Sequence, residues 1–261
     1  MFGFENKDRH MFVGLFKVQF GDRYLGSTIG KAWAIANPLL MLLIFTIVFG
    51  FVFKARLPGA DTTLAYVAWM IGGYGPWLAF SEGLSVGTGS VVSNAALVKN
   101  IKFRTELLPI SAVFVGMVPL GVSLLFLGIL LVIDGTGLSF AVVYLPLVIL
   151  SQFVFLLGCV LILSALNVFI RDISLVLPNL LLILMLTTPI LYPSEMLPRV
   201  AQELTWYNPL FHMTDSYRTI FIGQQAPDSA GLLYLFAIGV GLLGSGLWFF
   251  RRLKLAFDSR L

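Results

Sequence analysis

Six long runs of apolar residues, at 34–53, 64–85, 107–133, 140–169, 175–192 and 232–250, occupy most of a chain of 261 residues. A helix needs about 20 predominantly apolar residues to cross the hydrocarbon core of a bilayer, and each run has that length or comes close to it. Only 11% of the residues are charged, against about 25% in a soluble domain. A chain this short cannot hide so much apolar surface from water, so lipid is the solvent that accommodates it. The expected fold is one all-α polytopic membrane domain over residues 1–261, with six transmembrane helices. The second run is the weakest, because Gly72-Gly73-Tyr74-Gly75-Pro76 interrupts it. Pro109, Pro119 and Pro146 are candidate kinks in the longer ones.

An even number of spans puts both termini on one side, and the positive charges choose which. Lys7, Arg9, Lys17, Arg23 and Lys31 precede the first run, and Lys99, Lys102 and Arg104 follow the second. Arg171 follows the fourth, and Arg251, Arg252, Lys254 and Arg260 close the chain. Only Lys54, Arg56, Arg199 and Arg218 fall on the opposite side. Cytoplasmic loops carry the excess of Lys and Arg, so both termini are expected inside the cell. The basic net charge of +4 therefore reads as membrane topology, with no call on nucleic acid.

Three stretches do not span. Within 1–33, Phe12, Phe16 and Phe20 recur every fourth residue, with Leu15 beside them and Arg9, Lys17 and Arg23 interspersed. That pattern predicts an interfacial amphipathic helix with its apolar side toward lipid. Residues 91–106 form a polar, basic cytoplasmic loop with some helical character. The outer segment 193–231 is too long and too aromatic for a turn, and predicts two short helices broken at Asn208-Pro209. The first run is long enough to span and has no convincing cleavage site, so it is expected to be retained.

The sequence argues against most catalytic classes. The nearest approach to a phosphate-binding loop, Gly26-Ser27-Thr28-Ile29-Gly30-Lys31-Ala32, has three residues between its glycines and Ala after the Lys; a Walker A loop needs four, and then Ser or Thr. Two histidines, His10 and His212, are too few for a histidine zinc motif, and the single Cys159 excludes a disulfide within the chain. No metal or other cofactor is expected here. Energy for uphill movement must come from a partner or an ion gradient, and gradient-driven transporters usually bury a coupling charge. Glu82 is the one candidate inside a run; it is either a bundle-facing carboxylate bonded to Ser81, Ser85 or another helix, or a functional group. Aromatic residues gather at the run borders: Trp33, Trp69, Tyr74, Trp77, Phe80, Tyr192, Trp206, Tyr207 and Phe211. They form an interfacial belt, or some of them face a channel, where aromatic faces pack against the C–H surfaces of sugars. Ala237, Gly241 and Ser245 have the small-residue spacing that permits close helix approach.

Four ordered blocks carry a family resemblance. The first is Arg23-Tyr24-Leu25-Gly26-Ser27 with Gly30, Trp33 and Asn37-Pro38-Leu39. The second is Pro76-Trp77 with Ser81-Glu82, Val92-Ser93-Asn94, Leu97-Val98-Lys99-Asn100 and Leu108-Pro109. The third is Ser164-Ala165-Leu166-Asn167-Val168-Phe169-Ile170-Arg171-Asp172. The last is Thr188-Pro189-Ile190-Leu191-Tyr192-Pro193, with Asn208-Pro209, Tyr217-Arg218 and Gly223. In this order they resemble the ABC-2 type permeases of bacterial polysaccharide export, which carry O-antigen, teichoic acid or capsule. One departure is that Arg104-Thr105 follows Phe103 where family members often have Pro, which leaves the shape of that loop open.

The resemblance implies a homodimer of six-span subunits in the bacterial inner membrane, served by two copies of a cytoplasmic ABC ATPase that holds ATP and Mg. The substrate would be a polyprenyl- or lipid-linked polysaccharide. Residues 91–106 would be the coupling segment, with Asn94, Lys99, Lys102 and Arg104 as contacts to the ATPase. The outer helices, with Pro193, Trp206, Tyr207 and Phe211, would gate the exit. Arg23 and Tyr24 would meet the lipid-linked pyrophosphate, or Arg23 would reach toward lipid headgroups. The rival readings are an ABC-2 permease for lipid or drug efflux and a membrane enzyme acting on polyprenyl-linked sugars. The lack of an acidic metal cluster argues against the enzyme.

Overall fold

The computed structural model describes residues 6–52, 63–101, 103–257 and 260–261. Every secondary-structure element among them is helical: α1 (Asn6–Asp22), α2 (Trp33–Phe45), α3 (Thr63–Ser93), α4 (Ala95–Asn100), α5 (Leu107–Gly116), α6 (Val118–Ile133), α7 (Leu145–Phe169), α8 (Asp172–Thr187), α9 (Arg199–Thr205), α10 (Pro209–Phe221) and α11 (Ser229–Leu253). Lys54, Arg56 and Lys102 lie outside the described residues.

Four helical stretches are long and apolar enough to cross a membrane: Gly30–Gly50, Leu107–Ile133, Phe140–Phe169 and Ser229–Ala256. In the first, α2 opens into a wider π-helical segment, Thr46–Val52, where the Thr46 hydroxyl donates to the Leu42 carbonyl at 2.7 Å. A hydroxyl bonded back to its own helix disturbs the winding in this way. In the second, α5 ends at Gly116 and α6 restarts at Val118 with Pro119 in its first turn. Pro146 similarly sits in the first turn of α7 and starts that helix without kinking it. At 16 residues α8 is about 24 Å long.

The glycine-rich interruption expected in the second run does not exist. Helix α3 runs unbroken for 31 residues through Gly72-Gly73-Tyr74-Gly75-Pro76. The glycines mark contacts. A Cβ on Gly73 would fall into the Arg218 guanidinium, and one on Gly75 would lie 2.6 Å from Ser123 Cβ. Next to Pro76, the Gln152 amide of α7 donates to the Pro76 carbonyl at 3.0 Å, and its Oε1 accepts from the Tyr217 hydroxyl at 2.7 Å. Residues 71–77 are all buried. Enclosed by α5, α6, α7 and α10, α3 needs less apolar character than a helix facing lipid, which is why its run looked weak.

Two other expectations are corrected. Helix α1 does not turn its whole apolar side to lipid: Leu15 is buried with Leu107 and Leu108 of α5, packed around by Phe12, Leu97 and Phe103. Gln19 Nε2 donates to the Leu108 carbonyl at 3.3 Å, and Ser111 donates to Gln19 Oε1 at 2.9 Å. Nor do Ala237, Gly241 and Ser245 form the close-packed face of α11; all three are exposed, and Gly241 has nothing within 4 Å of a Cβ position. The tight seam against α7 runs through Gly239 and Gly246, with Gly158 of α7 lying 2.7 Å from the Leu242 backbone at its Cβ position.

The outer segment folds as expected into two short helices, α9 and α10, separated at Asn208-Pro209. Asn208 caps α10 by accepting from Leu210 N at 3.0 Å, and its Nδ2 donates to Thr188 Oγ1 at 2.8 Å. Helix α10 is buried along most of its length.

Candidate functional site

The turn between α1 and α2 delivers the first group of candidates. Gly26 and Gly30 have positive φ, at 79° and 58°, a conformation cheap only for glycine. They fold the resemblance's first block back onto the bundle. Arg23 pairs with Glu82 of α3, so the one candidate charge inside an apolar run meets one of the two candidate phosphate ligands. The Arg23 guanidinium lies 5.6 Å from the Tyr24 ring centroid. Asn37, Pro38 and Met41 of α2 and Val118 and Pro119 of α6 complete a cleft around Arg23, Tyr24 and Glu82. Burial raises the Tyr24 phenol, against the field of Arg23 and with that of Glu82, so Tyr24 stays a neutral donor. The cleft thus combines a guanidinium, a hydroxyl and a carboxylate under an apolar wall. An anion entering it would compete with Glu82 for Arg23.

A second group meets at the far end of α3. Arg218 of α10 is only 6% exposed. Its Nε donates to the Trp69 carbonyl at 3.2 Å and Nη1 to the Pro189 carbonyl at 2.8 Å; Nη2 donates to the Ile190 carbonyl. Its guanidinium lies 3.7 Å from the Trp69 ring centroid. Trp69, Pro193, Phe211, Glu195, Asp215 and Arg218 line a cavity of about 370 Å³, at the lower end of the range of small-molecule sites. Here a channel candidate, Trp69, and two gate candidates, Pro193 and Phe211, come together.

The remaining candidates separate. Tyr74, Trp77 and Phe80 are buried in the subunit's own core, with Phe80 stacked on Phe155 at 5.6 Å. Trp33 is half-buried at the start of α2. The Tyr192 hydroxyl donates to the Leu186 carbonyl at 2.7 Å. Trp206 and Tyr207 are exposed and lie apart from the cavity. Trp206 packs against His212 and Tyr234, and Tyr234 donates to the Tyr207 carbonyl at 2.9 Å.

At the charged end of the bundle, the loop after α3 contains the six-residue helix α4. Asn94 bonds back to the Ser90 carbonyl at 2.8 Å, Lys99 is exposed, and Arg104 pairs with Asp8 of α1 at 3.4 Å. Next to it, Glu106 Oε1 holds Lys254 at 2.8 Å and Arg251 at 3.4 Å. Burial alone would push the Glu106 carboxyl up, but Lys254, the backbone and Arg251 outweigh it and hold the group below the usual glutamate range. A carboxylate depressed in the folded state stabilises above its unfolded value, about 4.3, and loses that contribution as pH falls through the lower folded value. The gap in unfolding midpoint between wild type and Glu106→Gln is therefore expected to hold from neutrality to about pH 5 and to close in stronger acid. A gap that persists undiminished in strong acid would contradict this.

Sequence reasoning quoted Arg218 and Asn167 only within the blocks of the resemblance, gave neither a role beyond counting Arg218 among the outer charges, and did not name Gln152. Asn167 donates to the Thr88 carbonyl at 3.2 Å and accepts from Ser174 N at 3.3 Å, tying α7 to α3 and α8. Lone amides inside an apolar run were the available signal.

The ABC-2 type transporter family pattern matches residues 11–222. The O-antigen export system permease protein RfbA of Myxococcus xanthus is 30% identical over 237 residues, covering 90% of this chain and 89% of that protein. The Klebsiella pneumoniae protein of the same description is 30% identical over 241 residues, 92% of this chain and 90% of that protein. The chain belongs to the ABC-2 type transporter family and is a multi-pass protein of the inner membrane.

Proposed function

We propose that this chain is the permease subunit of an exporter moving a lipid-linked polysaccharide of the O-antigen type out of the cell, powered by ATP hydrolysis on a separate subunit. Likeness to O-antigen permeases along nine-tenths of the chain carries this reading. In it α3, α8 and the four long apolar helices give six spans with both termini cytoplasmic. The short α8 is extended by the turn at 188–193. Two copies enclose the channel, and exposed apolar side chains along α2 and α8 are shared between lipid and the second copy. Two cytoplasmic ATPases bind ATP and Mg and engage the segment 91–106, through Asn94, Lys99, Lys102 and Arg104. Helices α9 and α10 gate the exit, with Trp69 and Phe211 offering aromatic faces to sugar there.

The Arg23–Glu82 cleft receives the pyrophosphate of the carrier. Guanidinium pairs bidentately with phosphate, so the substrate takes Arg23 from Glu82, and Tyr24 adds a hydroxyl donor. Loss of a charge-assisted hydrogen bond costs roughly 1.5–3 kcal/mol. Arg23→Ala should therefore reduce surface polysaccharide and substrate-stimulated ATPase activity by about tenfold or more, in cells whose own permease is deleted. Glu82→Gln, which frees Arg23, should bind carrier at least as tightly as wild type. Unchanged export in Arg23→Ala would remove the pyrophosphate role. Failure of the wild-type chain to restore surface polysaccharide beside its ATPase would remove the substrate assignment.

A further inference from the structure

A third cavity has no part in the passage described above. It lies between α5, α7 and α11 at the charged end of the bundle and has a volume of about 380 Å³. Its wall is aliphatic, built from Leu157 and Leu161 of α7 and Leu243 and Leu247 of α11. Its lip carries three cations, Arg104, Arg251 and Lys254, with side chains 43%, 50% and 33% exposed. One carboxylate, Glu106, is set among them. Its ion pairs with Arg251 and Lys254 use Oε1, while Oε2 is buried and has no hydrogen-bond partner among the described residues.

We infer that this cavity binds an anionic glycerophospholipid with a hydroxylated headgroup, of the phosphatidylglycerol type. One acyl chain lies along the leucine wall, the phosphate meets the guanidinium groups of Arg104 and Arg251, and the headgroup hydroxyls lie at the lip beside Glu106. Charge selects this occupant. Three cations, set against Glu106 and the Asp8 carboxylate that pairs with Arg104, leave the lip positive by one charge, so a monoanion lowers its charge and a zwitterion does not. A hydroxylated headgroup also brings no further cation beside Lys254, as an ethanolamine ammonium would. The position fits as well: the lip lies where apolar α11 ends in Arg251, Arg252 and Lys254, the boundary at which lipid headgroups sit. The lipid would brace α5, and through it α1 and the loop carrying α4.

The test uses the full-length chain purified in a neutral detergent, with phosphatidylglycerol, phosphatidylethanolamine or phosphatidylcholine added at matched concentration. Phosphatidylglycerol should raise the unfolding midpoint most, and native mass spectrometry should show one copy retained per chain. Arg251→Ala should raise the half-saturating concentration about tenfold or more. Leu247→Trp, which fills the trough and leaves the charge unchanged, should abolish the lipid-specific shift. Arg252→Ala, whose guanidinium lies over the Trp248 ring at 5.5 Å and does not line the cavity, should behave as wild type. Equal shifts from all three lipids would overturn the inference, as would equal weakening by Arg252→Ala and Arg251→Ala. Should a variant fail to fold, retention by the wild type decides: one tightly held phosphatidylglycerol supports the site, and a statistical mixture of the three lipids refutes it.

Discussion

Arg218→Ala is expected to lower the unfolding midpoint on the order of 10 °C and to bring export to background. The guanidinium donates to three carbonyls, that of Trp69 in α3 and those of Pro189 and Ile190 in the turn after α8. It also lies on the Trp69 ring and fills the space that Gly72 and Gly73 leave open. Truncation removes the side-chain donor of the Pro189 and Ile190 carbonyls and opens a void, for a combined loss of roughly 3–5 kcal/mol. In a chain of this size each kcal/mol moves the midpoint by about 2–4 °C. Buried charges can often be exchanged for apolar groups without loss, but that requires changing both partners, and backbone carbonyls cannot be changed. Arg218→Met should therefore fail almost as badly as alanine. Arg218→Lys should not rescue, because one ammonium cannot reproduce a planar fork of donors. The functional loss follows from the same contacts, since Arg218 fastens α10 to α3 and to the turn after α8. Thermal unfolding of the purified variants, read by tryptophan fluorescence, checks the first part. A midpoint equal to wild type would show that the carbonyls find other donors and that Arg218 is dispensable.

The second large effect concerns two glycines in one span. At Gly116 a Cβ would stand 2.1 Å from Gly83 Cα and 2.5 Å from Gly83 N. Both obstructing atoms are backbone, so no rotamer change relieves the clash and α3 and α5 must move apart. Overpacking of this kind costs typically 1–3 kcal/mol, occasionally more. Gly116→Ala is placed at or beyond the upper end, because α5 also carries the packing of α1 through Leu107 and Leu108. Gly128, further along on α6, has nothing within 4 Å of its Cβ position. Alanine there restricts the unfolded chain and costs no contact, for an expected gain of about 0.4–1 kcal/mol. The two substitutions are chemically identical and opposite in sign, so measuring both midpoints side by side controls for detergent and preparation. Equal effects would mean that the close α3–α5 crossing is absent in the membrane.

Some of this was legible in the linear chain, and for a definite reason. Partition between lipid and water depends on composition averaged over a helix length, so the four runs that form long apolar helices among the described residues were found to within several residues. Backbone chemistry is equally local: Asn208-Pro209 had to break the outer segment, because proline disfavours helical geometry in the residue before it and is at ease in the first turn of a new helix. Gly26 and Gly30, unfit for a nucleotide loop by spacing, are used for the turn that their freedom in φ permits.

What a residue faces is a different matter, and the tertiary structure decided it. Gly72-Gly73-Tyr74-Gly75-Pro76 reads as a break wherever a helix stands alone; inside the bundle, Gln152, Ser123 and Arg218 occupy the space those residues leave, and α3 continues. Ala237, Gly241 and Ser245 have the spacing of a packing seam, but α7 meets α11 on another side, at Gly239 and Gly246. Arg218 counts as an outer charge by position, yet α10 folds inward and buries it against carbonyls 28 to 149 residues away. Arg23 and Glu82 were separate candidates until the α1–α2 turn paired them. Spacing along the chain establishes which side chains share a face of one helix, while the choice of the face that meets protein is made by contacts between distant segments.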